Sequence, residues 1–233
     1  SNARVVGMEL ELPYLRLAQQ ALVAKPDILL TNANLYHLPL PDSMIDKGIL
    51  SEVLEHVDDD VMVLRSIIRV LKPGGLLAIT VPNANYPFWW DPINKTLETV
   101  FNTHIQKGVL AGIWANHVRL YTHDQLRSCV TRAGFEIVEE RSFTHYSFPF
   151  IHNIVYGFGK TVLEAGLLPQ SIARAADRHN LSGNRGSWLN PVHLGLTVFE
   201  WFDRANQMKE PEGRSTVNLC VLVRKPAGGG GDA

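Results

Sequence analysis

Cysteine is scarce in this sequence, with only Cys129 and Cys220 among 233 residues. The two lie far apart and lack the paired spacing of a zinc site or a disulfide framework. We therefore expect two free thiols, the state that a reducing compartment maintains, and a cytoplasmic protein. The 9 histidines show no spacing such as H-E-x-x-H, so the sequence predicts no metal site.

Surplus charge is missing as well. The sequence has 22 Lys and Arg against 23 Asp and Glu, which gives a formal net charge of -1. Without a basic surplus, nothing favours binding to nucleic acid or to an anionic membrane. The apolar stretch 148–168 is broken by His152, Lys160 and Glu164, so we expect no stable membrane insertion.

Neither a signal peptide nor an internal repeat is visible. Residues 1–3, SNA, have the form of a tag remnant, and the glycine-rich residues 227–233 predict a flexible tail. The composition, 45% hydrophobic and 19% charged, is ordinary for a folded globular protein. We expect a single domain over residues 4–226.

Short apolar runs alternate with helical patterns along much of the sequence. The apolar runs predict strands over residues 4–8, 27–34, 44–51, 76–83, 135–142 and 215–226. Helices are predicted after Pro13, after Asp58 and over residues 122–135. Alternating strands and helices predict an α/β fold with a parallel sheet, in which ligands bind beyond the carboxyl ends of the strands.

The stretch RVLKPGGLLAITVPN, residues 69–83, joins a helix directly to an apolar strand. Pro73 cannot continue a helix and disfavours helical geometry at Lys72, while Gly74 and Gly75 can adopt the positive φ that turns the chain. The nearly continuous apolar run that follows predicts a strand covered on both faces. We therefore expect Asn83 to emerge at the ligand-binding edge of the sheet.

Five segments, in their order and spacing, resemble the class I S-adenosylmethionine-dependent methyltransferases of the small-molecule, type 11-like group. They are VVGMELE (5–11), ANLYHLPLPDSMID (33–46), SEVLEHV (51–57), RVLKPGGLLAITVPN (69–83) and HVRLYTHDQLRSCVTRAGFEIVE (117–139). The resemblance implies a Rossmann-like methyltransferase sheet with an antiparallel last strand. It also implies S-adenosylmethionine as cofactor and methyl transfer to a small molecule.

The same resemblance assigns the cofactor-binding residues. Glu9, beside Leu10, matches the strand-end acid that binds the ribose hydroxyls; a solvated acid is the alternative. Asn34 stands where the family often has an acid facing the adenine amino group, unless it only forms a turn. Leu35 would offer its backbone N–H and its side chain to the adenine ring. Backbone groups of Leu50 and Ser51 would contact the methionine end.

Two neighbours of this cofactor site are expected to be structural. Glu55 and His56 follow the third predicted strand, where helix-start and packing residues are more common than catalysts.

The sequence departs from the family in one respect, because the first strand and its glycine-rich turn do not precede RVVGM. In the family sheet that strand lies between the strands made here by 4–8 and 44–50, so we expect two open strand edges. Weak or absent cofactor binding by the 233-residue chain follows. Three explanations stay open: a complete longer parent enzyme, a sheet that closes up or borrows a strand from a second copy, and a natural non-catalytic relative.

The acceptor side is expected to involve two insertions, an aromatic lid over residues 84–116 and a helical, aromatic segment over 143–214. Trp89 and Trp90 would either belong to the lid or anchor its loop to the core. The second insertion would cover an apolar acceptor or form a homodimer interface.

For an oxygen or nitrogen acceptor, His117 is the first choice of general base and Tyr121 the second. A hydrogen-bonded structural role is the alternative for His117. The leading interpretation of the whole chain is a methyltransferase, and the alternative is a non-catalytic binding module on a degenerate methyltransferase scaffold.

Overall fold

The computed structural model of the protein describes residues 4–22, 27–146, 148–150, 197–198, 200–206, 210–211 and 213–227. Its named strands and α-helices, in chain order, are β1 (Val5–Glu9), α1 (Leu12–Ala21), β2 (Ile28–Asn32), β3 (Ile45–Ser51), α2 (Asp60–Val70), β4 (Leu71–Pro82), α3 (Pro92–Phe101), α4 (His123–Arg132), β5 (Glu136–Phe143) and β6 (Asn218–Arg224). Short 3-10 turns lie at Leu35–His37, Leu54–His56 and Gly112–Trp114. The strands and helices predicted from the sequence are present, with boundaries shifted by a few residues.

The strands of the described residues form two sheets. β1 and β2 pair in parallel, with Gly7 opposite Leu30. The second sheet has the order β3-β4-β6-β5, in which β3 and β4 are parallel and β6 is antiparallel to both of its neighbours. The predicted antiparallel last strand is therefore confirmed, and so is the α/β class.

The junction between α2 and β4 shows why the sequence places two glycines there. Gly74 has a φ of 76° and turns the chain, as expected. Gly75 serves a different purpose, because a Cβ at this position would lie 2.8 Å from the carbonyl oxygen of Lys72 and 3.2 Å from that of Asp46. Close backbone approach, not positive φ, requires the second glycine.

The main core lies between the four-stranded sheet and helices α2 and α4. Its fully buried side chains include Leu64 on α2, Ile79 on β4, Val130 on α4 and Val221 on β6. Burying side chains of this size stabilises the fold by about 1.5–3 kcal/mol each. The β1–β2 pair joins this body through Met8, Leu35 and Tyr36, which pack against the same core.

Both strand edges that the sequence analysis predicts to be open have no partner strand in the part of the chain that the structure describes. Among the described residues, β1 pairs with β2 alone and β3 pairs with β4 alone. Ile49, in the middle of β3, has 83% of its surface exposed although it is a large apolar residue. Because strand side chains point to the faces of a sheet, this exposure shows that the described part of the chain also leaves one face of β3 uncovered.

The two insertions are described to different extents. Residues 84–116 form α3 and the Gly112–Trp114 turn around a small core of Tyr86, Ile113 and Leu120. Most of the 143–214 insertion lies outside the described residues, and with it the predicted acceptor cover. Within the described residues, no helix has the length and apolar character needed to cross a membrane.

Candidate active site

Asn32 holds together the carboxyl ends of β1 and β2. Its Nδ2 group donates hydrogen bonds to the carbonyl oxygens of Glu9 at 2.8 Å and Leu10 at 2.6 Å. The N–H of Ala33 also donates to the Glu9 carbonyl, at 3.1 Å. The Glu9 carboxylate lies at the same strand end and accepts a hydrogen bond from the N–H of Glu11 at 2.9 Å. Because a carboxylate has four lone-pair sites, this single bond leaves capacity for ribose hydroxyls.

Asn34 caps the turn Leu35–His37. Its Oδ1 accepts the N–H of Tyr36 at 3.0 Å, which is the contact that the turn-forming alternative requires. The second lone pair of this carbonyl is the group that can face an adenine amino group. Leu35 packs partly against the main core, while Leu10 has 57% of its surface exposed.

Leu50 and Ser51 lie at the end of β3. The Leu50 side chain is buried in the main core, so only its backbone is available to a ligand. The Ser51 hydroxyl is hydrogen-bonded to that of Thr80 at 2.8 Å, and the N–H of Glu52 donates to the Thr80 carbonyl at 3.0 Å. These bonds fix the end of β3 against β4, and Glu52 turns the chain with a φ of 53°.

The predicted cofactor residues thus fall into two groups. Glu9, Leu10, Asn34 and Leu35 lie at or just beyond the ends of β1 and β2, whereas Leu50 and Ser51 end β3. The N–H of Asp59 at the start of α2 donates to the Tyr36 hydroxyl at 3.1 Å. This bond connects the turn that follows β2 to the helix that follows β3.

A cluster that the sequence analysis did not anticipate lies just beyond β3. The turn Leu54–His56 brings Glu55 and His56 against the loop that carries His117. The N–H of Val118 donates to the Glu55 carbonyl at 2.8 Å, and the His56 and His117 ring centroids are 4.8 Å apart. Glu55 and His56 are neighbours in the sequence, but His117 lies far along the chain, so no local spacing signals that it joins them.

Glu55 is the most unusual member of this cluster. Its side chain is fully buried, and neither carboxylate oxygen accepts a hydrogen bond from the described residues. Burial, together with the nearby negative charge of Glu52, raises the pKa of Glu55 to about 8. The expectation that Glu55 only packs accounts for its burial but not for its unsatisfied oxygens.

Tyr121 lies in the core beneath the His117 loop. Its hydroxyl donates to Asp60 Oδ2 at 2.9 Å and lies 3.2 Å from the Leu54 carbonyl oxygen. Burial raises the pKa of Tyr121 well above its ordinary value, with a further contribution from Asp60. These contacts favour a structural role, because the hydroxyl is held inside the protein.

Asn83 follows β4 at the predicted ligand edge. Its Nδ2 donates to the Thr216 hydroxyl at 3.0 Å and its Oδ1 accepts the N–H of Asn85 at 2.8 Å. The backbone of Asn83 also bridges to Tyr121, which anchors the His117 loop to the end of β4. The Asn83 side chain therefore shapes the site from inside and is not presented to a ligand.

The two lid tryptophans differ in position. Trp90 packs against the small core of Tyr86, Ile113 and Leu120, so it anchors the insertion. Trp89 has 58% of its surface exposed and makes an edge contact with Phe88 at 5.2 Å between ring centroids. Of the two predicted roles, Trp90 has that of the anchor. Trp89 is exposed enough to contact an acceptor.

Comparison with known families identifies the domain type. A family profile described as "Methyltransferase domain" matches residues 1–79, and a second profile with the same description matches residues 44–140. Together they run from the first residue into β5.

Curated relatives agree with these profiles. A Mycobacterium tuberculosis protein named "probable S-adenosylmethionine-dependent methyltransferase" is 40% identical over 143 residues, covering 61% of this chain and 45% of that protein. The "ubiquinone/menaquinone biosynthesis C-methyltransferase" of Haemophilus ducreyi is 33% identical over 117 residues, covering 46% of this chain and 43% of that protein. The chain thus covers slightly less than half the length of these relatives.

Solved structures share the fold at low identity. A SAM-dependent methyltransferase from Thermotoga maritima has a TM-score of 0.52 at 16% identity, covering 95% of this chain and 72% of that one. The [4+2]-cyclase SpnF has a TM-score of 0.51 at 18% identity, covering 97% and 68% of the respective chains. These likenesses confirm the predicted Rossmann-like methyltransferase fold.

Proposed function

Because the chain belongs to the class I S-adenosylmethionine-dependent methyltransferases, we propose that it transfers a methyl group from S-adenosylmethionine to a small molecule. The observation that carries this proposal is the pair of methyltransferase-domain matches, which spans residues 1–140. The strand order with its antiparallel β6 supports the same conclusion.

The proposed cofactor wall uses the strand ends described above. The Glu9 carboxylate accepts hydrogen bonds from the ribose hydroxyls, and Asn34 offers its remaining carbonyl lone pair to the adenine amino group. Leu10 and Leu35 contribute apolar surface beside the ring. The backbone of Leu50 and Ser51 contacts the methionine end.

Methyl transfer from a sulfonium is an in-line displacement, so the protein must align the acceptor with the methyl group and exclude water. For an oxygen or nitrogen acceptor, His117 is the proposed general base, since its loop returns to the end of β3 and β4. The buried, hydrogen-bonded hydroxyl of Tyr121 makes it the weaker candidate.

An apolar or amphipathic acceptor is the proposed substrate class. Phe88 and Trp89 are exposed aromatic residues that follow β4, and an aromatic face can pack against a flat acceptor. The H. ducreyi relative is named for ubiquinone and menaquinone biosynthesis, which supports a quinone-like acceptor.

A radiolabelled methyl donor tests this class: label should enter a demethylmenaquinone and not a polar amine of similar size. Label in the amine alone would reject an apolar acceptor.

We further propose that the 233-residue chain binds S-adenosylmethionine weakly. The described residues supply the ribose and adenine wall, while the edges of β1 and β3 between which the family places its first strand are open. The same open edges favour the second candidate function, a non-catalytic binding module on this scaffold. The neighbouring cyclase fold shows that this architecture also occurs in a protein named for other chemistry.

Saturation-transfer NMR with S-adenosylmethionine separates these candidates, because it detects weak ligands and reports which protons touch the protein. We expect saturation of the adenine and ribose protons and little of the methionine methyl. Glu9→Gln should reduce the ribose signal, whereas Glu11→Gln, a change at an exposed neighbouring acid, should leave it unchanged. No saturation at any concentration would favour the non-catalytic module, and micromolar affinity by calorimetry would contradict weak binding.

The remaining proposals concern the state of the protein. Exposed apolar residues such as Phe101 and Trp201 support a homodimer, and light scattering on dilute and concentrated samples tests it. A dimer should double the mass on concentration, and a constant monomer mass would exclude it. The two free cysteines support a cytoplasmic location.

A further inference from the structure

We propose that Glu55, His56 and His117 form a binding site for a divalent transition-metal ion. The inference goes beyond the proposed methyl transfer and does not depend on it. It rests on the position of three ligand atoms, on the hydrogen bond that orients one of them, and on a buried carboxylate without hydrogen bonds.

The three residues present their ligand atoms to one small volume. One nitrogen of each histidine and one oxygen of Glu55 all lie within 4.8 Å of one another. Atoms bound tetrahedrally to one ion at about 2.0–2.2 Å lie about 3.3–3.6 Å apart, so side-chain rotations of about 1–1.5 Å at the ligand atoms would bring all three into contact with the ion. The hydrogen bond from Val118 N–H to the Glu55 carbonyl, at 2.8 Å, holds the two supporting segments together.

The orientation of His56 suits a metal ligand. Its Nδ1 is 2.9 Å from the Asn116 carbonyl oxygen, and because a carbonyl can only accept, Nδ1 must carry the proton. In the neutral ring, Nε2 then carries the lone pair, and this atom lies 3.6 Å from Glu55 Oε1. Fixing the imidazole through a backbone carbonyl on its other nitrogen is the usual arrangement for histidines that bind metals.

Glu55 supplies a second, independent indication. Its fully buried carboxyl oxygens accept no hydrogen bond from the described residues, which is rare for buried polar atoms in folded proteins. A cation placed between Glu55 Oε1 and His56 Nε2 would compensate the carboxylate and separate two facing lone pairs. The carboxylate is thus positioned as a ligand would be.

The donor set indicates the class of ion. Two imidazole nitrogens and one carboxylate oxygen suit Zn²⁺, Co²⁺, Mn²⁺ or Fe²⁺ better than Mg²⁺ or Ca²⁺, which prefer oxygen ligands throughout. Three protein ligands leave at least one coordination position for solvent or for an acceptor atom. His56 has 42% of its side chain exposed, so the site is reached from solvent on that side while Glu55 closes the other.

The proposal gives His117 a role that differs from general base. A nitrogen that binds a metal ion cannot also accept a proton from the acceptor. The two assignments for His117 are therefore exclusive, and metal titration distinguishes them without any assay of methyl transfer.

The test is a Co²⁺ titration of the tag-free, chelator-treated protein, followed by visible absorption and by calorimetry with Zn²⁺. We expect one equivalent to bind with a visible Co²⁺ band. Glu55→Gln and His117→Ala should each weaken affinity by at least about tenfold, the lower limit for losses around metal sites. Glu55→Gln is nearly isosteric, so it should fold; circular dichroism checks each variant.

His37→Ala is the matched control, because it removes an exposed imidazole that lies in another turn. It should bind Co²⁺ as the parent does. Equal affinity in the parent, Glu55→Gln and His117→Ala would assign the binding to an adventitious site and overturn the proposal. Failure of the folded parent to bind either ion would overturn it as well, leaving Glu55 and His56 as an ion pair only.

Discussion

At the scale of single residues, Gly112 is the position where one methyl group should matter most. It has a φ of 52°, and a Cβ there would overlap the carboxylate of Asp91. That carboxylate is buried and accepts the N–H groups of Asn94 and Ile113, at 3.2 and 3.0 Å, so it cannot move without breaking both bonds. The network connects the start of α3 to the Gly112–Trp114 turn.

We therefore predict that Gly112→Ala lowers the free energy of unfolding by about 3 kcal/mol or more, combining left-handed strain with overpacking. Gly108→Ala isolates the strain, because Gly108 has a φ of 80° and no atom within 4 Å of its Cβ position. It should cost only about 1 kcal/mol. Urea unfolding followed by tryptophan fluorescence measures both, and equal losses would show that Asp91 has room to move.

The thiol of Cys129 provides a second prediction at this scale. Cys129 is buried on α4, and burial, with a contribution from Asp60, raises its pKa to about 12. Because only the thiolate reacts, iodoacetamide should modify Cys129 far more slowly than an unfolded thiol at pH 8. The Cys220→Ser variant reports Cys129 alone, and the same variant in urea gives the reference rate. Equal rates in the two conditions would show that Cys129 is accessible.

At the scale of elements, α4 has the most complete start signal in the protein. Thr122 accepts the N–H of Gln125 at 3.2 Å, and the Gln125 side chain accepts the N–H of Thr122 at 2.9 Å. This reciprocal pair is a capping box, which satisfies two backbone donors that the first turn leaves without partners. The cap holds a helix that packs Leu126 and Val130 into the main core.

Removing this cap with Thr122→Ala should lower the free energy of unfolding by about 1 kcal/mol. Thr131→Ala, at an exposed position inside the same helix, controls for the loss of a threonine and should change stability by less than about 0.5 kcal/mol. Chemical denaturation of the two variants side by side gives the comparison. Because alanine is the better helix former, a Thr131→Ala loss as large as that of Thr122→Ala would show that losing any threonine side chain from this helix is costly and that the cap has no special effect.

At the scale of the whole molecule, the two sheets should differ in stability. β4 pairs on both sides and carries alternate buried residues, whereas β1 and β2 form a two-stranded sheet without a fully buried residue. A two-stranded sheet is marginal unless it packs well against other elements. Local opening of β1 and β2 should therefore require less free energy than opening of β4 and β6.

Hydrogen exchange followed by mass spectrometry tests this difference. We predict that amides of β1 and β2 exchange early and that those of β4 and β6 are the last to exchange. The same peptides in denaturant supply the unprotected rates. Protection of β1 equal to that of β4 would show that the open edges of β1 and β3 are covered in solution, as a strand borrowed from a second copy would do.

Much of this fold could be predicted from the sequence because its signals are local. Apolar runs define the strands, Asp59 and Thr122 cap helices, and the Lys-Pro-Gly-Gly segment ends α2. The resemblance then supplied the candidate cofactor residues and the antiparallel last strand, and comparison with the family sheet predicted the two open edges of β1 and β3. The roles of these cofactor residues in ligand binding remain proposals.

What the sequence alone determined is the kind of element at each position and the family, since periodicity and motif order are properties of neighbouring residues. The tertiary structure decided which distant side chains meet. His117 reaches Glu55 and His56 only because the Val118–Glu55 hydrogen bond and the Asn83–Tyr121 bridge bring its loop to the end of β3 and β4. Likewise, only the packing around Gly112 shows that Asp91 connects α3 to the Gly112–Trp114 turn, because contacts between separate segments depend on burial and have no local pattern.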